Sequence, residues 1–198
     1  MTGTLESADN GYRLRFERRF DHAPERVWRA ITEPEELAHW FPPGEELQVT
    51  ESEPARLLAG TWYGDELRFE LRPEGDACVL VFTHTFAERE KAARDAAGWD
   101  RVFVRFDALL CGEPMGEKES LEGWSEVHER YAADLGVDPE LGRQALAEHP
   151  TQRSSEPAFA SGAAGVRIGR DQLVVHRVPA REHAGSQRPV RPLRRVLL

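Results

Sequence analysis

The chain has no run of apolar residues approaching the roughly 18 that a membrane-crossing helix requires. Its first residues, MTGTLESADNGY, contain no basic stretch followed by an apolar one. No secretory signal is read there, and the expected location is the cytoplasm. Cysteine is scarce, with Cys78 and Cys111 forming no CxxC pair. That argues against a disulfide framework and a thiolate metal site, and both residues are expected to be small buried hydrophobes in a reducing compartment. Lysine is nearly missing too: Lys91 and Lys118 stand against 24 arginines. This imbalance reads as coding bias and informs nothing about function.

The motifs of catalysis are also missing. There is no GxSxG, HExxH, P-loop or GxGxxG. The seven histidines, at 22, 39, 84, 128, 149, 176 and 183, have no ligand spacing, so neither a metal site nor a cofactor is expected. Gly162, Gly165 and Gly169 follow no predicted strand and precede no helix, which leaves a phosphate cradle unsupported. Charge of one sign is unevenly spread: residues 1–150 hold 17 Arg/Lys against 32 Asp/Glu, and residues 151–198 hold 9 against 3. An acidic body argues against nucleic acid or an anionic membrane as its partner. The basic segment could tether the domain to an acidic partner, or serve as an extension without a specific role.

What is present is periodicity. GYRLRFERRF alternates Tyr12, Leu14 and Phe16 with Arg13, Arg15 and Glu17, the pattern of a strand with one buried face. DHAPERVWRAIT predicts a helix opened by Pro24, with Val27, Trp28 and Ile31 at helical spacing. In TEPEELAHWFPP, Thr32 and Glu35 have capping-box spacing, and Pro42–Pro43 stop a second short helix. Strands are expected at 46–49 and 57–63. The segment GDELRFELRPEGDACVLVFTHTF predicts a hairpin with Leu67, Phe69 and Leu71 on one arm and Leu80, Phe82, His84 and Phe86 on the other. A helix of about six turns follows, carrying Ala93, Ala96, Trp99, Phe103, Phe106 and Leu110 in one stripe and closed by Gly112 and Pro114. LEGWSEVHERYAADLG predicts a further amphipathic helix. Beyond residue 149 the composition turns to Arg, Pro, Gly, Ser and Ala, and residues 150–198 read as a basic disordered tail.

A strand, two short helices, several antiparallel strands and one long helix make an α+β order in which the helix lies across the apolar face of the sheet. On three segments, RFERRFDHAPERVWRAITEPEELAHWF, LRFELRPEGDACVLVFTHTF and KAARDAAGWDRVFVRFDALLCGEP, the sequence resembles the START-like (SRPBCC) helix-grip superfamily. Within it, the resemblance is to the bacterial proteins similar to the activator of Hsp90 ATPase homologue 1. It spans roughly Tyr12 to Pro114. Relatives carry a longer stretch where this chain has only GEELQVTESEP, so the strand region near 43–57 is shortened. The expected layout is a START-like domain at 4–112, an accessory helical extension at 113–149 and the basic tail.

The resemblance implies a hydrophobic cavity between sheet and long helix, and the residues best placed to line it are Trp62, Phe69, Leu80, Phe82, His84, Trp99, Phe103 and Phe106. The same residues could instead fill one another's space as an ordinary core. His84 is the only titratable group on the apolar face of its strand; it could bond a ligand, or be a core histidine satisfied by a backbone carbonyl or Thr85. Trp99 with Asp95 and Arg101 could form a polar lip. The implied function is non-catalytic binding of a small hydrophobic molecule. A chaperone-contacting interaction module and a polyketide cyclase-like enzyme are the alternatives, the latter needing two or more convergent titratable groups.

Overall fold

The computed structural model describes residues 3–44 and 46–148, so the expectation of a disordered tail at 150–198 lies outside the described residues. In chain order the elements are β1 (Thr4–Ala8), β2 (Gly11–Phe20), α1 (Pro24–Thr32), α2 (Pro34–Trp40), β3 (Gln48–Glu53), β4 (Leu57–Trp62), β5 (Asp65–Glu74) and β6 (Ala77–Phe86). A short 3-10 turn (Arg89–Lys91) then leads into α3 (Ala92–Leu110), α4 (Glu117–Ser120), α5 (Trp124–Leu135) and α6 (Glu140–Glu148). The strands form one antiparallel sheet in the order β1-β2-β6-β5-β4-β3. The architecture is the α+β helix-grip arrangement that the order of elements predicts.

β6 is central because both its neighbours present apolar residues to the same side. Leu14, Phe16 and Phe20 of β2 and Leu67, Phe69 and Leu71 of β5 flank Leu80, Phe82 and His84. Strands of period 2 place these on one face, and α3 lies against it, so that a single core joins this face to α1, α2, α3 and α5. Burying each large apolar side chain contributes about 1.5–3 kcal/mol, which makes this layer the main source of stability.

Several local expectations are corrected. β1 has no strong alternation and was not predicted; it pairs with β2 through a turn at Asp9–Asn10, just before Gly11. The Thr32–Glu35 capping box does not form. Thr32 Oγ1 instead donates back to the Trp28 carbonyl at 2.8 Å, and α2 starts at Pro34 after Glu33 with no side-chain cap. Proline at that position has no N–H to satisfy, so a side-chain cap has less to do. The long helix is shorter than read, with 19 residues after a separate 3-10 turn. Cys78 is buried, but Cys111, standing just past the end of α3, is exposed. α6 was not read from the sequence. No helix among the described residues is long and apolar enough to cross a membrane.

Candidate functional site

The β5–β6 register sets Phe69 opposite Phe82 and Leu67 opposite His84. From the other layer, α3 brings Trp99, Phe103 and Phe106 down at four- and three-residue steps, which share one helix face. Phe82 is the hub: its ring centroid lies 4.5 Å from Trp99, 4.8 Å from Phe69 and 5.3 Å from Phe103. Trp62 meets Trp99 at 5.8 Å. The eight residues singled out from the sequence, Leu80 and His84 included, are all buried together in this layer. Their side chains pack on one another.

The sequence reading missed the contribution of α2 as a wall. Trp40 sits edge-on to Phe106 at 4.5 Å and donates its indole N–H to the Ala30 carbonyl at 2.8 Å, while Phe41 reaches Trp62 at 5.6 Å. Beside these rings, Ile31, Leu37, Trp40, Phe41, Leu47, Val49, Leu58 and Phe69 border an apolar recess of about 20 Å³. That is room for about one water-sized group. Phe69 is the member of the predicted set that borders it. A larger open space of about 460 Å³ lies elsewhere, between β1 and the end of α5, with Tyr12, Arg89 and Asp134 among its walls.

His84 anchors a polar chain through this layer. Trp99 Nε1 is 3.0 Å from His84 Nδ1, and His84 Nε2 is 3.1 Å from Asp65 Oδ2. An indole nitrogen can only donate, so Nδ1 accepts and the ring proton resides on Nε2, from which it is given to the carboxylate. Asp65 also accepts from Lys91 Nζ at 2.9 Å. Burial pushes the Asp65 carboxyl up, but the bonds and charges of His84 and Lys91 outweigh it and hold the group below its ordinary range. For Lys91, burial pulls downward while Asp65 and neighbouring carboxylates prevail and raise it. The expected partners of His84, a backbone carbonyl or Thr85, are therefore replaced by Asp65 and Trp99.

Asp65, His84 and Asp95 each bring one potential metal-ligand atom to within 4.8 Å of the others. The hydrogen bonds oppose such use. Nε2 carries the proton, Lys91 already neutralises Asp65, and Arg94 holds Asp95 Oδ1 at 2.8–2.9 Å. Asp95 and Arg101 do not form a lip with Trp99, since Asp95 pairs with Arg94 and Arg101 with Asp100 at 2.7 Å. A half-buried cation also escaped the sequence reading. Arg18 faces the same side as Leu14, Phe16 and Phe20, lies 5.1 Å over the Phe103 ring, and reaches Asp107 at 2.7 Å and Asp100 at 3.6 Å. Carrying the alternation of β2 two residues beyond Phe16 would have found it.

No family model matches the chain, and no curated protein matches its sequence. Solved structures do. CalU16 from Micromonospora echinospora superposes with a TM-score of 0.54 at 21% identity, over 67% of this chain and 94% of its own. A conserved protein of unknown function from Enterococcus faecalis, EF2215, gives 0.54 at 20% identity over 67% and 89%. The protein encoded by gene BPP1335 from Bordetella parapertussis gives 0.52 at 23% identity over 70% and 97%. These likenesses establish the helix-grip fold.

Proposed function

We propose that the protein is a non-catalytic binder of a small hydrophobic molecule, in the manner of the bacterial proteins similar to the activator of Hsp90 ATPase homologue 1. The observation that carries this reading is the apolar recess, whose walls are Trp40, Phe41 and Phe69 and whose rim includes Val49, one of two large hydrophobics left exposed among the described residues. Ligand sites are concave and mostly apolar, and an exposed apolar residue at the rim suits an entry point. The recess is much smaller than a drug-sized site, so the ligand is slim. A ligand larger than one water-sized group would need Phe41 and Leu47, both at the wall of the recess, to turn aside. The engagement of both His84 nitrogens supports binding over catalysis, because a general base needs an unoccupied lone pair aimed at substrate.

The test is native mass spectrometry on protein purified without detergent, followed by titration with an environment-sensitive apolar dye during thermal melting. Saturable uptake at one site that raises Tm, and that Val49→Trp blocks at the rim, is the expected result. Uptake that never saturates, or that ignores the Val49 substitution, would sink the reading.

A further inference from the structure

α5 and α6 meet over a histidine that takes no part in the recess. His128 of α5 is 2% exposed, and its ring stacks on that of Trp124 one turn earlier, 7° from parallel with centroids 4.9 Å apart. Its Nε2 is buried with no hydrogen-bond partner among the described residues. What covers it is α6: a Cβ placed on Gly142 would stand 2.2 Å from Nε2. Only a glycine lets the helix seat so closely over the ring.

Two charged groups act on the imidazole. Glu129 of α5 brings Oε1 to 3.7 Å from Nδ1, and Arg143 of α6 donates to both Glu129 oxygens at 2.7 Å. The carboxylate is thus already committed, and the guanidinium beside it repels a second cation.

We propose that α6 is a pH-operated cover, seated on the neutral imidazole of His128 and lifted when that ring takes a proton. An imidazolium presents two N–H donors, and beneath α6 the one on Nε2 meets neither an acceptor nor water. Lifting α6 gives it water. Burial, opposed by Glu129 and joined by Arg143, holds His128 below the ordinary histidine range. The seated state therefore binds the proton less well than the lifted one. The seat is fully favoured above the ordinary value of about 6.5 and weakens as pH falls through it, by up to about tenfold per pH unit. The Glu129–Arg143 pair does not titrate in this window, since Arg143 keeps Glu129 below the carboxylate range and is itself raised.

Hydrogen–deuterium exchange on the full chain tests this, with residues 140–147 read against α3 and corrected for the intrinsic pH dependence of exchange. From pH 7.5 to 5.5 the opening of α6 should rise relative to α3, by up to about tenfold, and His128→Phe, which keeps the stack, should abolish the rise. An α6 whose opening is flat over that range in the wild type, or equally pH-dependent in His128→Phe, overturns the proposal. Should that variant fail to fold, an NMR titration of His128 in the wild type decides: a midpoint below the ordinary histidine value, tracking the exchange, supports the cover, and an ordinary midpoint overturns it.

Discussion

The indole of Trp99 donates to Nδ1 of His84 at 3.0 Å, fastening α3 to the central strand β6 in the middle of an otherwise apolar layer. A buried donor and a buried acceptor satisfy each other there, so the bond fixes both ring orientations as well as the histidine tautomer.

Replacing Trp99 with Phe leaves Nδ1 without its donor in a dry environment. A loss of about 1–3 kcal/mol is expected from that atom alone, in addition to the smaller ring. Chemical denaturation measures the first effect. Nitrogen-15 NMR of the imidazole should show the Nε2–H tautomer in the wild type and a mixture in the variant; an unchanged tautomer would mean that Trp99 does not set it.

Asp65→Asn should destabilise the fold at neutral pH by about 1.5–3 kcal/mol, the range for charge-assisted hydrogen bonds. The sign of its pH dependence follows from the depressed carboxyl. Its contribution is present above the ordinary Asp value of about 3.9 and is lost as pH falls through the folded value. Lys91, raised when folded, contributes below its ordinary value of about 10.4 and loses that as pH rises through the folded one. Wild type and Asp65→Asn should therefore converge in denaturant midpoint below about pH 4, whereas a difference constant from pH 7 to 3 would rule out an ionic role.

Phe103 touches the rings of Phe16, Phe82, Trp99 and Phe106 and lies under the Arg18 guanidinium. Truncation to Ala should remove about 3–5 kcal/mol of stability and leave a dry apolar hole. If that hole joins the ligand space, the variant takes up a bulkier apolar dye more tightly than the wild type. Lost stability with unchanged uptake would make Phe103 a core residue only.

At Gly60 of β4 an added Cβ would meet the Gln48 carbonyl oxygen at 2.5 Å and Leu47 Cδ1 at 3.0 Å. Backbone on an adjacent strand cannot swing away as a side-chain tip can, so Gly60→Ala should push edge strand β3 outward and destabilise by about 1–3 kcal/mol. Amide exchange should rise in β3 and stay unchanged in β6. Equal exchange in β3 before and after would show that the edge accommodates the methyl without shifting.

Most of the fold was legible in the chain itself, for a local reason: strands and helices announce themselves by period. The alternation from Leu67 to Phe86 and the stripe from Trp99 to Leu110 could bury their apolar residues only by facing each other, which is the helix-grip arrangement. The elements that escaped lack that signal. β1 alternates weakly, and α6 needs Gly142 to seat on His128, a requirement visible only when the two helices are brought together. Chemistry depended still more on tertiary structure. His84 was conspicuous from sequence, yet its partners are set by the hairpin register, which places Asp65 on the same face two residues before Leu67, and by the rotation of α3, which aims Trp99 at Nδ1. Spacing within an element decides which residues share a face. Which of those faces meet, how tightly their rings close the space between them, and which polar atoms are thereby cut off from water were decided only when the whole chain packed.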